Sequence, residues 1–206
     1  MNSDLTRRTF SLVFSAAAVF GLSACGDSTG PDGPGSVDVV MYDGSAQATR
    51  GPSSAAAADT YSGTFEGEVT VEISTDGQTW IDVSPPTSAT VDLQSEDRTT
   101  ITTEAEVAGG SYSHIRITLR SATATLDVGA QIGGTTLGTE ANISIGGGSD
   151  VVVEKEVFPF SLDADVQMVL SVDLNSEAWV SQQSVTSGTA ASSEIQSATS
   201  VEVRRK

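Results

Sequence analysis

Apolar and polar side chains alternate every second residue along most of this chain. Val37, Val39 and Met41 alternate with Asp38, Val40 and Tyr42, which predicts a first strand closing at Asp43-Gly44. Phe65, Gly67, Val69, Val71 and Ile73 fall on one side of a second extended segment, with Thr64, Glu66, Glu68, Thr70 and Glu72 on the other. That is the signature of a half-buried strand. Asp76-Gly77 supplies the positive-φ turn of a tight hairpin. Trp80, Ile81 and Val83 then return as its second arm, with Trp80 in the core. Pro85-Pro86 is expected to stop the pairing, because proline brings no amide hydrogen to a ladder. Residues 47–60 are small and polar and read as a loop with one helical turn at most.

Further strands are expected over 90–93, 99–107, 112–120, 124–128, 151–158 and 166–174. Shorter ones are expected over 130–132, 135–137 and 141–145, divided by Gly133-Gly134 and Gly146-Gly147-Gly148. Residues 181–193 are rich in Ser, Thr, Gln and Ala and read as a flexible, low-complexity excursion, with a possible last strand over 195–203. Many short strands with turn signals every eight to twelve residues argue for a sandwich or barrel. The expected fold is all-β: an antiparallel, Greek-key-like β-sandwich of about seven to nine strands, spanning residues 37–180, with 181–206 as an appendage.

Within it, Val107-Ala108-Gly109-Gly110-Ser111-Tyr112 puts an apolar residue five before a tyrosine and Gly110 two before it. The spacing resembles a tyrosine corner, in which the phenol hydrogen-bonds backbone a few residues upstream and pins a crossover between sheets. The other reading is an ordinary half-buried tyrosine.

The N-terminus breaks the alternation. Arg7-Arg8 precedes an apolar run over 10–24 that is too short for a bilayer core, which takes roughly 20 helical residues. A basic start, a short apolar stretch and small residues before a cleavage point read as an export signal. Leu22-Ser23-Ala24-Cys25 resembles the lipobox of prokaryotic lipoproteins, whose cysteine is lipidated and becomes the first mature residue. Cys25 is the single cysteine, so no internal disulfide can account for it. Residues 6–12 also resemble a twin-arginine signal, departing from it at Ser11 and Leu12. The expected division is a signal peptide over 1–24, then a lipid-anchored Gly/Pro tether over 25–36 that buries too little to fold.

The chain carries 27 acidic and 10 basic residues, a formal net charge of −17. That disfavours nucleic acid and anionic lipid as direct ligands. The acids are dispersed, as on a solvated surface or in adaptation to a salty habitat. For calcium, Asp163-Ala164-Asp165 and Asp173-Leu174-Asn175 come nearest to a ligand loop, and neither has its full spacing.

Candidate chemistry is thin. His114, the sole histidine, is expected to share a strand face with Tyr112, Arg116, Thr118 and Arg120, opposite Ile115, Ile117 and Leu119. A Ser-His-Asp hydrolase would need a carboxylate to orient it and a serine beside it, yet no Gly-x-Ser-x-Gly elbow occurs. Carboxylate pairs for glycoside hydrolysis will arise by chance among so many acids. One histidine cannot build a catalytic zinc site, and no glycine segment has phosphate-loop spacing. No metal or other cofactor is expected. Residues 74–80 resemble the Asp-box of sialidases but lack one residue between Asp76 and Gly77 and do not repeat. Trp80, Trp179, Tyr42 and Tyr61 would form a sugar-stacking platform if gathered, and core or rim anchors if not.

Five pieces together resemble a family of bacterial and archaeal lipoprotein domains catalogued as domain-of-unknown-function family forty-three eighty-two. They are Tyr42-Asp43, the hairpin from Val69 to Trp80, Val91-Asp92-Leu93, the Gly110-x-Tyr112-x-x-Ile115-Arg116 segment and residues 169–175. The family usually has Thr-Asp-Ala-Pro where this chain has Tyr42-Asp43-Gly44-Ser45. Over residues 37–180 the resemblance implies a β-sandwich and extracytoplasmic anchoring, and no activity. The expected function is a non-catalytic, lipid-anchored module at the cell envelope, outer membrane or cell surface, with a protein or glycan partner. The alternatives are a carbohydrate- or calcium-binding module and an envelope hydrolase.

Overall fold

A computed structural model describes residues 33–45 and 59–206. The expectations for Arg7, Arg8, Leu22, Ser23, Ala24 and Cys25, and for most of the 47–60 loop, lie outside the described residues.

Two packed sheets form an all-β sandwich. The first has the order β12-β10-β1-β4, with β1 Gly35–Tyr42, β4 Thr99–Val107, β10 Gln167–Asp173 and β12 Ser200–Arg205. The second contains β2 Gly63–Ser74, β3 Ile81–Asp92, β5 Gly110–Leu126, β8 Ala141–Ile145, β9 Val151–Leu162 and β11 Thr189–Ala190. Its order runs β11-β8-β5-β2-β3, and β9 shares with β8 the flank of β5 that β2 leaves free. A small ribbon, β6 Gln131–Ile132 with β7 Thr135–Thr136, turns on Gly133-Gly134, where both φ values are positive. The chain crosses between sheets from β1 to β2, β3 to β4, β4 to β5, β9 to β10, β10 to β11 and β11 to β12. Two pairings are parallel, β1 with β10 and β11 with β8, where the alternation implied antiparallel ladders throughout.

The core lies between the sheets and follows the period-two pattern. Val37, Val39 and Met41 face Val69, Val71, Ile73, Ile115, Ile117 and Val153, all fully buried. Removing each such side chain from water contributes roughly 1.5–3 kcal/mol, which is why aliphatic residues suffice where aromatics are few.

Three differences from the alternation have a common cause, the bulge. Pro85-Pro86 does not end β3. Val69 faces Thr87 and Val71 faces Ser84, so one extra β3 residue is accommodated at the prolines. An edge strand with a bulge tolerates missing amide hydrogens. The strands expected over 112–120 and 124–128 are one strand, β5, in which Ser121 (φ +48°) absorbs an extra residue opposite Gly67. A Cβ on Gly67 would approach Ala122 Cβ to 3.0 Å, so a larger residue there would have to push Ala122 aside. At the other end of β5, Tyr112 faces Phe160 while His114 faces Glu156. The resulting parity change turns Tyr112 into the core, away from the outer face of His114, Arg116 and Arg120. The Tyr112 hydroxyl donates to the Ala108 carbonyl at 2.8 Å across the β4–β5 crossover. Its ring passes 3.6 Å from where a Cβ on Gly110 would sit.

The hairpin is also looser than a two-residue turn, with six residues from Thr75 to Trp80 joining β2 to β3. Asp76 accepts from the amides of Gln78 (2.8 Å) and Thr79 (3.0 Å) and from Ser74 Oγ (3.0 Å). Gly77 takes φ +72°. The Thr79 and Gln78 amides hold the Asp76 carboxyl below its ordinary value.

The C-terminal segment is part of the domain, not a flexible excursion. Helix α1, Gln182–Ser187, starts at Ser181, whose hydroxyl accepts the Ser184 amide at 3.2 Å, and ends at Gly188 in the left-handed region. Helix α2, Ser192–Ala198, occupies much of the stretch expected as a last strand and buries Ile195 and Ala198. After it, β12 completes the first sheet against β10. Ser181 caps α1, Glu194 accepts the Ala191 amide at 2.8 Å at the start of α2, and three-residue apolar spacing binds that short helix to the core.

Candidate functional site

The outer face of the six-stranded sheet carries a network of charged strand residues. Glu68, Thr70 and Glu72 project from β2, Arg116, Thr118 and Arg120 from β5, and Glu154 from β9. Arg116 Nε lies 2.9 Å from Glu154 Oε1 and its Nη1 3.6 Å from Glu72 Oε2. Arg120 bridges Asp150 at 3.3 Å and Glu68 at 3.5 Å. Trp80 lies here too, half-buried, with the Arg116 guanidinium carbon 3.9 Å from its ring centroid. This corrects its expected place in the core. Trp179 is the fully buried tryptophan and donates from its indole nitrogen to the Leu174 carbonyl at 3.1 Å.

The proline bulge gives this face its relief. Where β3 is displaced at Pro85-Pro86, a hollow of about 390 Å³ opens beside β2, lined by Thr70, Glu72, Asp82, Pro85, Thr118 and Arg120, among others. Thr70 is 91 % buried (9 % exposed), and its hydroxyl has no hydrogen-bond partner among the described residues. A buried hydroxyl left without a partner costs roughly 1–3 kcal/mol. A second hollow of about 590 Å³ shares Arg120 and continues along Glu66, Glu68, Ser88 and Thr123. The hollow at the prolines therefore presents carboxylate acceptors, the Arg120 guanidinium and the hydroxyls of Thr70 and Thr118 around a proline wall. Sequence reasoning missed it, because neither the bulge nor the unsatisfied threonine is visible in the alternation.

The remaining candidates are dispersed. His114 Nδ1 lies 2.9 Å from Ser113 Oγ, which donates to the Thr75 carbonyl at 3.1 Å. Since that hydroxyl spends its hydrogen on Thr75, the histidine acts as donor to it. Ser113 is thus not activated as a nucleophile, and the ring instead packs against Gly77. The four aromatics form no platform: Tyr61 and Trp179 are interior, and Tyr42 is half-buried with the Arg98 guanidinium 5.1 Å from its ring. Among the described residues no group of three histidines, cysteines or carboxylates is placed to hold a metal ion.

A second polar cluster sits at the end of β1. Asp43 is fully buried and accepts from the amides of Gln94 (2.7 Å), Ser176 (2.9 Å) and Ser45 (3.3 Å). It also accepts from the hydroxyls of Ser45 (2.6 Å) and Ser176. Tyr61 Oη lies 2.8 Å from Ser176 Oγ, and burial raises the Tyr61 pKa strongly. With five donors the carboxylate is saturated, so its role is to tie β1 to two loops. Its position directly after an apolar strand is the one sign the sequence offered.

No protein-family model, curated protein or solved structure matches the chain.

Proposed function

We propose that this chain is a non-catalytic, lipid-anchored module of the cell envelope that binds glycan on the outer face of its six-stranded sheet. The observation that carries the reading is the hollow at Pro85-Pro86, into whose lining a buried, unsatisfied Thr70 hydroxyl is built. A sugar supplies what that site lacks. Its hydroxyls can donate to Glu72 and Asp82, accept from Arg120, and pair with Thr70 and Thr118 in either sense. Its C–H face matches the proline wall. The net charge of −17 favours a neutral ligand over a polyanion. Anchoring is supported by Arg7-Arg8, the apolar run that follows and Leu22-Ser23-Ala24-Cys25. Two or more acyl chains would hold the domain firmly, at about 0.8 kcal/mol per buried CH₂.

A glycan array run with and without chelator tests the binding. Retention of a neutral glycan, unaffected by chelator and weakened about tenfold by Thr70→Val, is the expected result. Valine matches threonine in shape and removes the hydroxyl alone. An array on which the wild type retains nothing, or on which Thr70→Val binds as well, overturns the assignment. Cys25→Ser is expected to release the protein from membranes, and continued membrane association would overturn the anchor.

A further inference from the structure

On the open side of the sandwich, strand β9 of one sheet runs beside β12 of the other. Each pairs with a neighbour on one flank alone, β9 with β5 and β12 with β10. Between them lies a groove of about 770 Å³, lined chiefly by Val157, Phe160, Met168, Val201 and Val203, with Glu156 and Glu202 on its rim. Phe158 borders the same groove and is 95 % exposed.

The eversion of Phe158 has a definite cause. Tyr112 and His114 on β5 face Phe160 and Glu156 on β9, so Val157, Phe158 and Pro159 together stand opposite Ser113. β9 must bulge outward by two residues there, and Phe158 is its tip. A bulge and a proline protect an edge strand against open-ended strand addition, and a polar tip would serve that purpose equally well. A phenyl ring held out to water on an acidic chain asks for a partner.

We infer that Phe158 and the groove beside it form a two-fold interface with a second copy of this chain. An apolar knob adjoining an apolar hole is what an isologous contact requires, because one rotation places each knob in the other copy's hole. A different partner would need the knob or the hole, not both on one patch. Charge points the same way. Glu202 on the rim is paired with Arg204 at 2.6 Å, and the charge of Glu156 is offset by that of Arg205, which stands opposite Met168 of the groove in the β10–β12 ladder. The patch is therefore neutral, while the rest of the chain carries the whole excess of acid. Two copies can meet there without the repulsion that separates them elsewhere. Pro159 and the bulge leave no regular backbone ladder to extend, so side chains make the contact and the assembly closes at two.

Two measurements test this without reference to the glycan face. In the first, a photo-crosslinking phenylalanine analogue replaces Phe158 in producing cells, with exposed Val128 as the control position. The expected product at position 158 is an adduct of two copies of the chain, absent at 128. In the second, sedimentation velocity follows the purified full chain over a concentration series. A monomer–dimer equilibrium is expected, weakened at least about tenfold by Phe158→Asp, with the β-type circular dichroism spectrum retained. A monomer at every concentration, an unshifted equilibrium in Phe158→Asp, or an adduct with any other protein overturns the inference.

Discussion

The guanidinium of Arg116 lies over the indole of Trp80, 3.9 Å from guanidinium carbon to ring centroid, and reaches Glu72 and Glu154 on either side. The hairpin loop is thereby tied to the middle of the sheet by an arginine that three groups compete to hold. Arg116 is 27 % exposed in its side chain, so water screens the ion pairs only in part. A cation over a partly exposed indole contributes about 0.5–1 kcal/mol. In a double-mutant cycle, Trp80→Leu and Arg116→Gln should couple by that amount in urea unfolding. Strict additivity would show that the stacking has no energetic content.

Tyr112 offers a cleaner single substitution. Tyr112→Phe keeps the ring against Phe160, 5.9 Å between centroids, and removes the hydroxyl that donates to Ala108. The carbonyl in the β4–β5 crossover loses its partner, so the cost should be about 1 kcal/mol or more. In a domain of this size that corresponds to a melting temperature roughly 2–4 °C lower. An unchanged melting curve would mean that the hydroxyl does not pin the crossover.

The strands follow the alternation where the ladder is regular, and the structure departs from it where a bulge changes parity. The strand over 99–107 has the same limits in sequence and structure, since Val107 closes it and Ala108-Gly109 must turn. Tyr112 could not be placed by counting twos from Ile115, because the bulge opposite Val157, Phe158 and Pro159 intervenes. Pro85-Pro86 reads as a terminator until one knows that β3 is an edge strand, and the hollow beside Thr70 exists because of that edge. Trp80 looked like a core residue by hydrophobicity alone, yet the six-residue loop leaves it on the outer face. The two helices escaped notice because Ser181 caps α1 from within a stretch that reads as low-complexity, while α2 starts at Ala191, which brings no capping side chain to mark it.

Asp38 sets an acid limit on stability. Its carboxylate accepts from the Glu104 amide at 2.7 Å and from Lys206 Nζ at 2.9 Å. The amide first, then the ammonium, hold its pKa below the ordinary value of 3.8. A carboxylate depressed in the folded state stabilises fully above its unfolded pKa and loses that contribution as pH falls through the folded one. Unfolding midpoints should therefore decline below about pH 4, and Asp38→Asn should flatten part of that decline. An identical pH profile in the variant would remove Asp38 from the account.

The C-terminal segment gives the sharpest test of how far the domain extends. Ile195 is 1 % exposed and Ala198 7 %, so α2 is held to the core by one large and one small side chain. Lys155 Nζ also donates to the Gln196 carbonyl at 2.8 Å, and Gln196 Nε2 to the Val152 carbonyl at 2.9 Å, which clamps the helix along β9. Isoleucine-to-alanine changes at such sites cost about 2–5 kcal/mol, since the transfer free energy and the residual cavity add. Ile195→Ala should lower global stability by that amount and expose the chain after Ser181 to protease. If the segment were a loose appendage, the same substitution would leave the unfolding midpoint where it is, and cleavage would proceed equally fast in both proteins.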